Sequence, residues 1–250
     1  MAWALDLDGV VRLGPEPVPG AAAAVQRLRA AGEHVAFVTN NSSHTRQQVA
    51  DELAGFGIPD AVDEVVSSAM AVATLVEPGE RVLLCGGPGI EEALVERGAT
   101  VVRDGDADAV VVGFHRDFDY QRMHVAATAV RRGARLLASN DDATYPTPDG
   151  PAPGAGALLA GVVTAAGHPP LVVAGKGHPP MAELVRARLG PGGVVVGDRP
   201  ETDGRFAVDV GYRFVLVLSG VTGPEDLPGE PGPGVVAADL AGAVDAVLGT

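Results

Sequence analysis

Two carboxylates, one residue apart, close the first apolar segment of the chain, in Ala4-Leu5-Asp6-Leu7-Asp8-Gly9-Val10. Like charges that close repel, and burial sharpens the repulsion, so something must offset it. Other polar residues also follow apolar runs. Thr39-Asn40-Asn41 follows 34–38, Lys176 follows 171–174, and Asp198, with Asp203 five residues on, follows 194–196. Mg²⁺ takes oxygen ligands in octahedral geometry and keeps several waters. It would neutralise the crowding of Asp6, Asp8 and Asp198 and hold a phosphate oxygen. Lys176 and the donors near Thr39 would take the other oxygens, and such a set performs phosphoryl transfer. One carboxylate would attack phosphorus and become an aspartyl-phosphate. The other would protonate the leaving alkoxide and later deprotonate the attacking water. Lys176 would stabilise the charge on the transferring group.

These residues are useful only if the fold gathers them. The pattern predicts a strand over 1–7, a helix over 19–31, a strand over 34–38 and a helix over 45–55. That is the rhythm of a parallel sheet with helices on both faces. It returns late, with strands at 171–174, 194–196 and 213–218 and helices over 180–189 and 240–248. In open parallel sheets ligands sit outside the carboxyl ends of the strands, where the polar residues fall here. The middle repeats the α/β pattern: strands at 81–85, 109–112 and 135–138, helices at 90–97 and 120–131. The expectation is a doubly wound, Rossmann-like core of residues 1–76 plus 171–250, with a second α/β domain, 77–170, inserted in it. Pro78-Gly79 and His168-Pro169-Pro170 are the expected hinges. The Pro- and Gly-rich stretches 146–154 and 224–234 are expected as ordered loops.

Composition sets the outer bounds. Apolar residues make up 46 % of the 250, ample for a packed interior, and aromatics only 4 %, so the cores must use small and branched aliphatics. A net charge of −14 argues against nucleic acid as a partner, because phosphate contacts need clustered Lys and Arg. A metal ion and one lysine can still reverse the field locally for a small anion. Cys85 is the single cysteine, so no intramolecular disulfide forms. The first residues lack the pattern of a signal peptide, and no run of about 20 apolar residues would span a membrane. A cytoplasmic protein without membrane partners is expected.

At this point the chain resembles a family. Asp6-Leu7-Asp8-Gly9-Val10, Thr39-Asn40-Asn41, Lys176 and Gly197-Asp198-Arg199-Pro200-Glu201-Thr202-Asp203 are similar to the four motifs of haloacid dehalogenase-superfamily phosphatases. Thr-Asn-Asn, the long insertion after it and Gly-Asp-Arg-x-x-Thr-Asp resemble its NagD-like subgroup, subfamily IIA. Ser67-Ser68-Ala69-Met70 and Pro153-Gly154-Ala155-Gly156-Ala157-Leu158 look like its connecting segments. The resemblance implies roles. Asp6 would be the nucleophile and a Mg²⁺ ligand. Asp8 would be the general acid/base, with its main-chain carbonyl on the metal, and Gly9 would shape the turn beside it. Thr39 and the backbone around Asn40, supported by Asn41, would bind phosphate with Lys176. Asp198 would ligate Mg²⁺, and Asp203 would ligate or support it. The insertion would be a cap of the C2 type that selects the substrate and mediates a homodimer. The subgroup usually has Gly-Lys-Pro around its lysine, where this chain has Gly175-Lys176-Gly177-His178-Pro179.

Each motif also has a plainer reading. Alone, Asp6 and Asp8 would be a turn or cap pair, Thr39-Asn40-Asn41 a helix N-cap, Lys176 a solvated lysine, and Asp198 and Asp203 loop residues. Asn140 and Asp142 follow a cap strand and face either the substrate or an Asx turn. Arg116 either grips an anionic leaving group or pairs with Asp117 or Asp119. Gly175-Lys176-Gly177 lacks the frame of a P-loop, since Pro170 takes the first glycine position. The expected activity is Mg²⁺-dependent hydrolysis of a small phosphomonoester: a sugar phosphate, glycerol phosphate, phosphoglycolate or nucleoside monophosphate. Its rivals are a phosphotransferase or mutase using the same intermediate, and a phosphoester-binding module without turnover.

Overall fold

The computed structural model describes residues 1–147, 150–227 and 230–249. It divides into two compact units. The first holds 1–39, 46–66 and the chain from Lys176 onward; the second holds 40–45 and 67–175.

The first unit is built on a six-stranded sheet. Its strands lie in the order Val235–Ala237, Arg213–Val217, Gly193–Gly197, Ala2–Leu5, His34–Thr39 and Val65–Ser67. Ala2–Leu5 runs parallel to both neighbours, with Leu5 beside Val196 on one side and Phe37 on the other. The outer pairs on the Gly193–Gly197 side are parallel too. These strands read as continuous apolar runs because both faces are covered. Trp3, Leu5, Phe37, Val196 and Val215 pack with Val25 and Leu28 of helix Ala21–Ala30 and with Leu240 and Val244 of helix Leu240–Leu248. Trp3 is fully buried and its indole N–H donates to the Glu33 carboxylate at 3.2 Å, which meets the one polar need of that ring.

Ranked by position in the chain, these strands run 3-2-1-4-5-6 across the sheet. The order reverses between Ala2–Leu5 and Gly193–Gly197. A crevice opens at the carboxyl ends of two strands where the winding changes direction. Asp6 leaves one of these strands and Asp198 the other.

The second unit has its own five-stranded sheet, in the order Val172–Val173, Arg135–Ala138, Ala109–Val112, Arg81–Cys85 and Thr100–Val102. All four pairings are parallel, and the chain ranking 5-4-3-1-2 is the other common doubly wound order. Leu83, Val110, Val112 and Leu136 pack against Val130 of helix Tyr120–Arg131 and against Leu159 and Val162 of helix Ala155–Ala166. Among the described residues no helix is long and apolar enough to cross a membrane.

Two expectations are corrected. The strand foreseen at 171–174, with Lys176 at the end of a core strand, is Val172–Val173, and it pairs with Leu137 and Ala138 in the second unit's sheet. Four apolar residues in a row favour a strand but do not say which sheet takes it. The stretch 146–154, foreseen as a loop, contributes instead to an antiparallel hairpin of Thr144–Thr147 with Gly150–Pro153; residues 148–149 lie outside the described residues. An edge hairpin tolerates proline because one side of each strand needs no partner.

Phe37 is fully buried in the strand beside Ala2–Leu5. Phe37→Ala should cost about 3–5 kcal/mol of unfolding free energy, read as a lower denaturant midpoint with an unchanged slope.

Candidate active site

The Ala2–Leu5 strand extends one residue further, where the Asp6 N–H donates to the Val196 carbonyl at 2.9 Å. The chain then turns sharply. The Leu7 carbonyl accepts from the N–H groups of Val11 and Arg12 at 2.9 and 3.0 Å. Gly9 sits in this turn at φ 81°, and a Cβ there would run into the Asp198 carboxylate and the Gly220 backbone. Glycine is required on both counts. On the neighbouring strand Asp198 follows Gly197, and Pro200–Gly204 forms a single wide helical turn of the π type, a form that collects at functional sites. The Arg199 carbonyl accepts from Thr202, Asp203 and Gly204. That turn brings Asp203 back over Gly197, where a Cβ would overlap the Asp203 side chain.

The outcome is a buried carboxylate cluster. Single oxygens of Asp6, Asp198 and Asp203 lie within 4.8 Å of one another. The Lys176 ammonium reaches into it, 2.7 Å from Asp6 Oδ1 and 2.7 Å from Asp203 Oδ1. The extra Gly177-His178 therefore leaves the amine in place. Lys176 reaches the cluster from the loop ahead of helix Pro179–Leu189, whose two leading prolines occupy positions needing no N–H partner. Each carboxylate also takes a main-chain N–H: Leu7 donates to Asp6 at 2.7 Å, Arg199 to Asp203 at 3.1 Å and Val221 to Asp198 at 2.7 Å. Thr222 Oγ1 donates to the Asp198 carbonyl at 2.5 Å. Thr39 is buried at the carboxyl end of the strand next to Ala2–Leu5.

Asp8 behaves differently. Its side chain is 46 % exposed and turns to Arg12, whose Nε donates to Oδ1 at 3.0 Å and Nη2 to Oδ2 at 3.4 Å. Arg12 also pairs with Glu52 on helix Arg46–Gly55. Burial disfavours the guanidinium charge, but Asp8 and Glu52 outweigh it and raise the Arg12 pKa. The sequence reading missed this triad, although Arg12 follows Asp8 by four residues. It also missed the 219–222 loop that holds Asp198, although that loop follows an apolar strand as the other site residues do.

The second unit holds the other residues singled out. Asn40 Nδ2 donates to Asp142 Oδ2 at 2.9 Å. The Asn40 carbonyl accepts from Asn140 Nδ2 at 2.8 Å and from Ser68 Oγ at 2.7 Å. Asn140 Oδ1 accepts from the Asp142 N–H at 3.2 Å, so the Asx turn describes Asn140, which is buried and bonded at both ends of its amide. Asn41 Oδ1 accepts from the Ser43 N–H and Oγ at 2.9 and 2.7 Å, a capping contact. Arg116 is exposed, and the carboxylates foreseen as its partners are engaged elsewhere. Asp117 pairs with Arg122, and Asp119 caps helix Tyr120–Arg131 by accepting from the Arg122 N–H at 2.8 Å.

Comparison with known proteins gives a consistent result. Residues 3–100 match the family model described as haloacid dehalogenase-like hydrolase, and residues 173–243 one described as HAD-hydrolase-like. The chain is 35 % identical over 231 residues to the 5′-nucleotidase YutF of Bacillus subtilis, covering 90 % of both chains. Among solved structures it is similar to a p-nitrophenyl phosphatase from Archaeoglobus fulgidus, at TM-score 0.90 and 31 % identity over 98 % of each chain. It is also similar to a glycerol phosphate phosphatase from Mycobacterium tuberculosis in complex with magnesium. There the TM-score is 0.89 and the identity 35 %, over 96 % of this chain and 74 % of that one.

The electrostatics of the cluster follow from its composition. Burial pushes the Asp6 carboxyl well above the usual range; Lys176 opposes this, and Asp203 and Asp198 add to it. Burial likewise pushes Asp198 up to about 6, reinforced by Asp203 and opposed by the Val221 N–H. Burial alone would lower the Lys176 pKa, but Asp203 and Asp6 more than offset it and hold the ammonium charged. A carboxyl with a raised folded pKa stabilises the fold below its unfolded pKa and loses that contribution as pH rises through the folded value. In chelator, stability should therefore fall as pH rises from about 4 to 7 on account of Asp198. Asp198→Asn should flatten that slope in pH-dependent denaturant titrations.

Proposed function

The chain belongs to the haloacid dehalogenase-like hydrolases, in the NagD-like group, and from that premise we propose its chemistry: hydrolysis of a small phosphomonoester through an aspartyl-phosphate at Asp6. The observation that carries the reading is the Lys176 ammonium, 2.7 Å from both Asp6 and Asp203 inside a buried carboxylate cluster. Asp6 attacks phosphorus, so that an Asp6 Oδ–P bond forms as the P–O bond to the alcohol breaks. Asp8 gives its proton to the departing alkoxide. Water then attacks the same phosphorus, Asp8 takes the proton of that water, and inorganic phosphate leaves with Asp6 restored. Lys176 stabilises the charge on the transferring group throughout. Thr39 and the backbone at Asn40 are assigned to phosphate.

The donor set fits a divalent cation. Three buried carboxylates face one ammonium, and hard oxygen donors suit Mg²⁺. Asp6, Asp198 and Asp203 would hold it by their side chains, and Asp8 by its main-chain carbonyl. Bound there, Mg²⁺ supplies charge neutralisation between an anionic nucleophile and an anionic ester. We assign the choice of ester to the second unit, an insertion in the chain of the first. Sugar phosphates, glycerol phosphate, phosphoglycolate and nucleoside monophosphates are the candidates.

Phosphate release should appear without any added acceptor alcohol, which separates hydrolysis from transfer to a second substrate. Asp6→Asn should lower kcat by about 10⁴-fold or more, and Lys176→Ala by about 10²–10³-fold, with both variants folded by circular dichroism. Chelator should abolish release and Mg²⁺ restore it. Wild-type turnover by Asp6→Asn would refute the reading.

A further inference from the structure

Asp8 has two proton transfers to perform under the proposed chemistry, yet its carboxylate is nearly half exposed. A proton donor must stand within hydrogen-bond reach of the departing oxygen, and small misplacements cost heavily in rate. Among the described residues the one side chain that hydrogen-bonds the Asp8 carboxylate is Arg12. The contact is side-on: Nε meets one oxygen and Nη2 the other. Two parallel N–H···O bonds fix the plane of a carboxylate, which a single bond does not. Arg12 is itself fixed. Its side chain is 12 % exposed, its backbone opens the short hairpin of Arg12–Leu13 with Glu16–Pro17, and its remaining Nη1 is held by Glu52 on helix Arg46–Gly55.

We propose that Arg12, braced by Glu52, is the positioning residue that sets the orientation of the Asp8 carboxylate for both proton transfers. What Asp8 gains from the fork is a fixed direction. The pair is too exposed on the Asp8 side to matter much as a stabilising bridge. Both Asp8 oxygens keep a lone pair free for the substrate.

The inference rests on Asp8 being the general acid, and the test separates the two claims. A p-nitrophenolate leaves with little need of a proton, whereas an alkoxide must receive one. Kinetics on p-nitrophenyl phosphate and glycerol phosphate therefore isolate the acid. Asp8→Asn should lose far more kcat on glycerol phosphate than on p-nitrophenyl phosphate. Arg12→Lys, which keeps the charge and loses the fork, and Glu52→Gln should show the same bias. For each, kcat on glycerol phosphate should fall about tenfold or more beyond any fall on p-nitrophenyl phosphate, with KM for both esters within about twofold of wild type. Arg12→Ala should exceed Arg12→Lys; if it fails to fold, the lysine and Glu52 variants decide. Equal losses on both esters, or losses confined to KM, in the Arg12 and Glu52 variants would overturn the positioning role while Asp8→Asn keeps its bias. No bias in Asp8→Asn would overturn the general-acid assignment, and this inference with it.

Discussion

Everything in the first unit is arranged around a crowding of like charge. Asp6, Asp198 and Asp203 are buried together with one ammonium among them. An excess of carboxylate in a low-dielectric interior is costly unless hydrogen bonds and counter-charge offset it. The fold supplies the hydrogen bonds from its own backbone, one N–H each from Leu7, Arg199 and Val221. It supplies part of the counter-charge through Lys176. The remaining negative charge is what suits the cluster to a cation under the proposed chemistry, and burial, with the neighbouring carboxylates adding to it, raises the carboxyl pKa values of Asp6 and Asp198.

The topology explains why such a cluster can be assembled at all. Five strands of this sheet, from Val235–Ala237 across to His34–Thr39, run parallel and aim their carboxyl ends one way, and the reversal of strand order leaves the ends of Ala2–Leu5 and Gly193–Gly197 without a crossing connection between them. Backbones must then approach closely. Gly9 accepts the Asp198 carboxylate against its own Cα, and Gly197 does the same for the side chain of Asp203. The apolar sheet beneath, with Trp3, Leu5 and Phe37 fully buried, gives these strand ends a rigid base. Rigid placement matters because electrostatic stabilisation of a transferring group depends on charges that need not reorganise.

Much of this was legible in the sequence. Alternation of apolar runs with helical spacing gave the parallel sheets, and polar residues at strand ends gave Asp6, Asp198, Asp203 and Thr39 a common neighbourhood. The limits have physical causes. Val172–Val173 is too short to declare its sheet, and its partner is Arg135–Ala138. Helix Ala155–Ala166 is apolar almost throughout, with Leu158, Leu159, Val162 and Val163, so it shows little periodic contrast to detect. The hairpin at Thr144–Thr147 and Gly150–Pro153 carries prolines that argue against strand. Nothing in the local sequence singles out Arg12, because a side-chain clamp depends on Glu52, forty residues away. The Asx turn foreseen at Asn140 forms, and its amide also donates to the Asn40 carbonyl.

In the proposed chemistry Asp6 takes the phosphoryl group onto its own side chain. Acid quenching of the protein during turnover with Mg²⁺ and a phosphate ester, followed by peptide mass spectrometry, tests it most directly. One phosphoryl group is expected on the peptide bearing Asp6, labile to base and missing when residue 6 is asparagine. Continued phosphate release with that peptide unmodified at every quench time, or with the group on a different side chain, would contradict it.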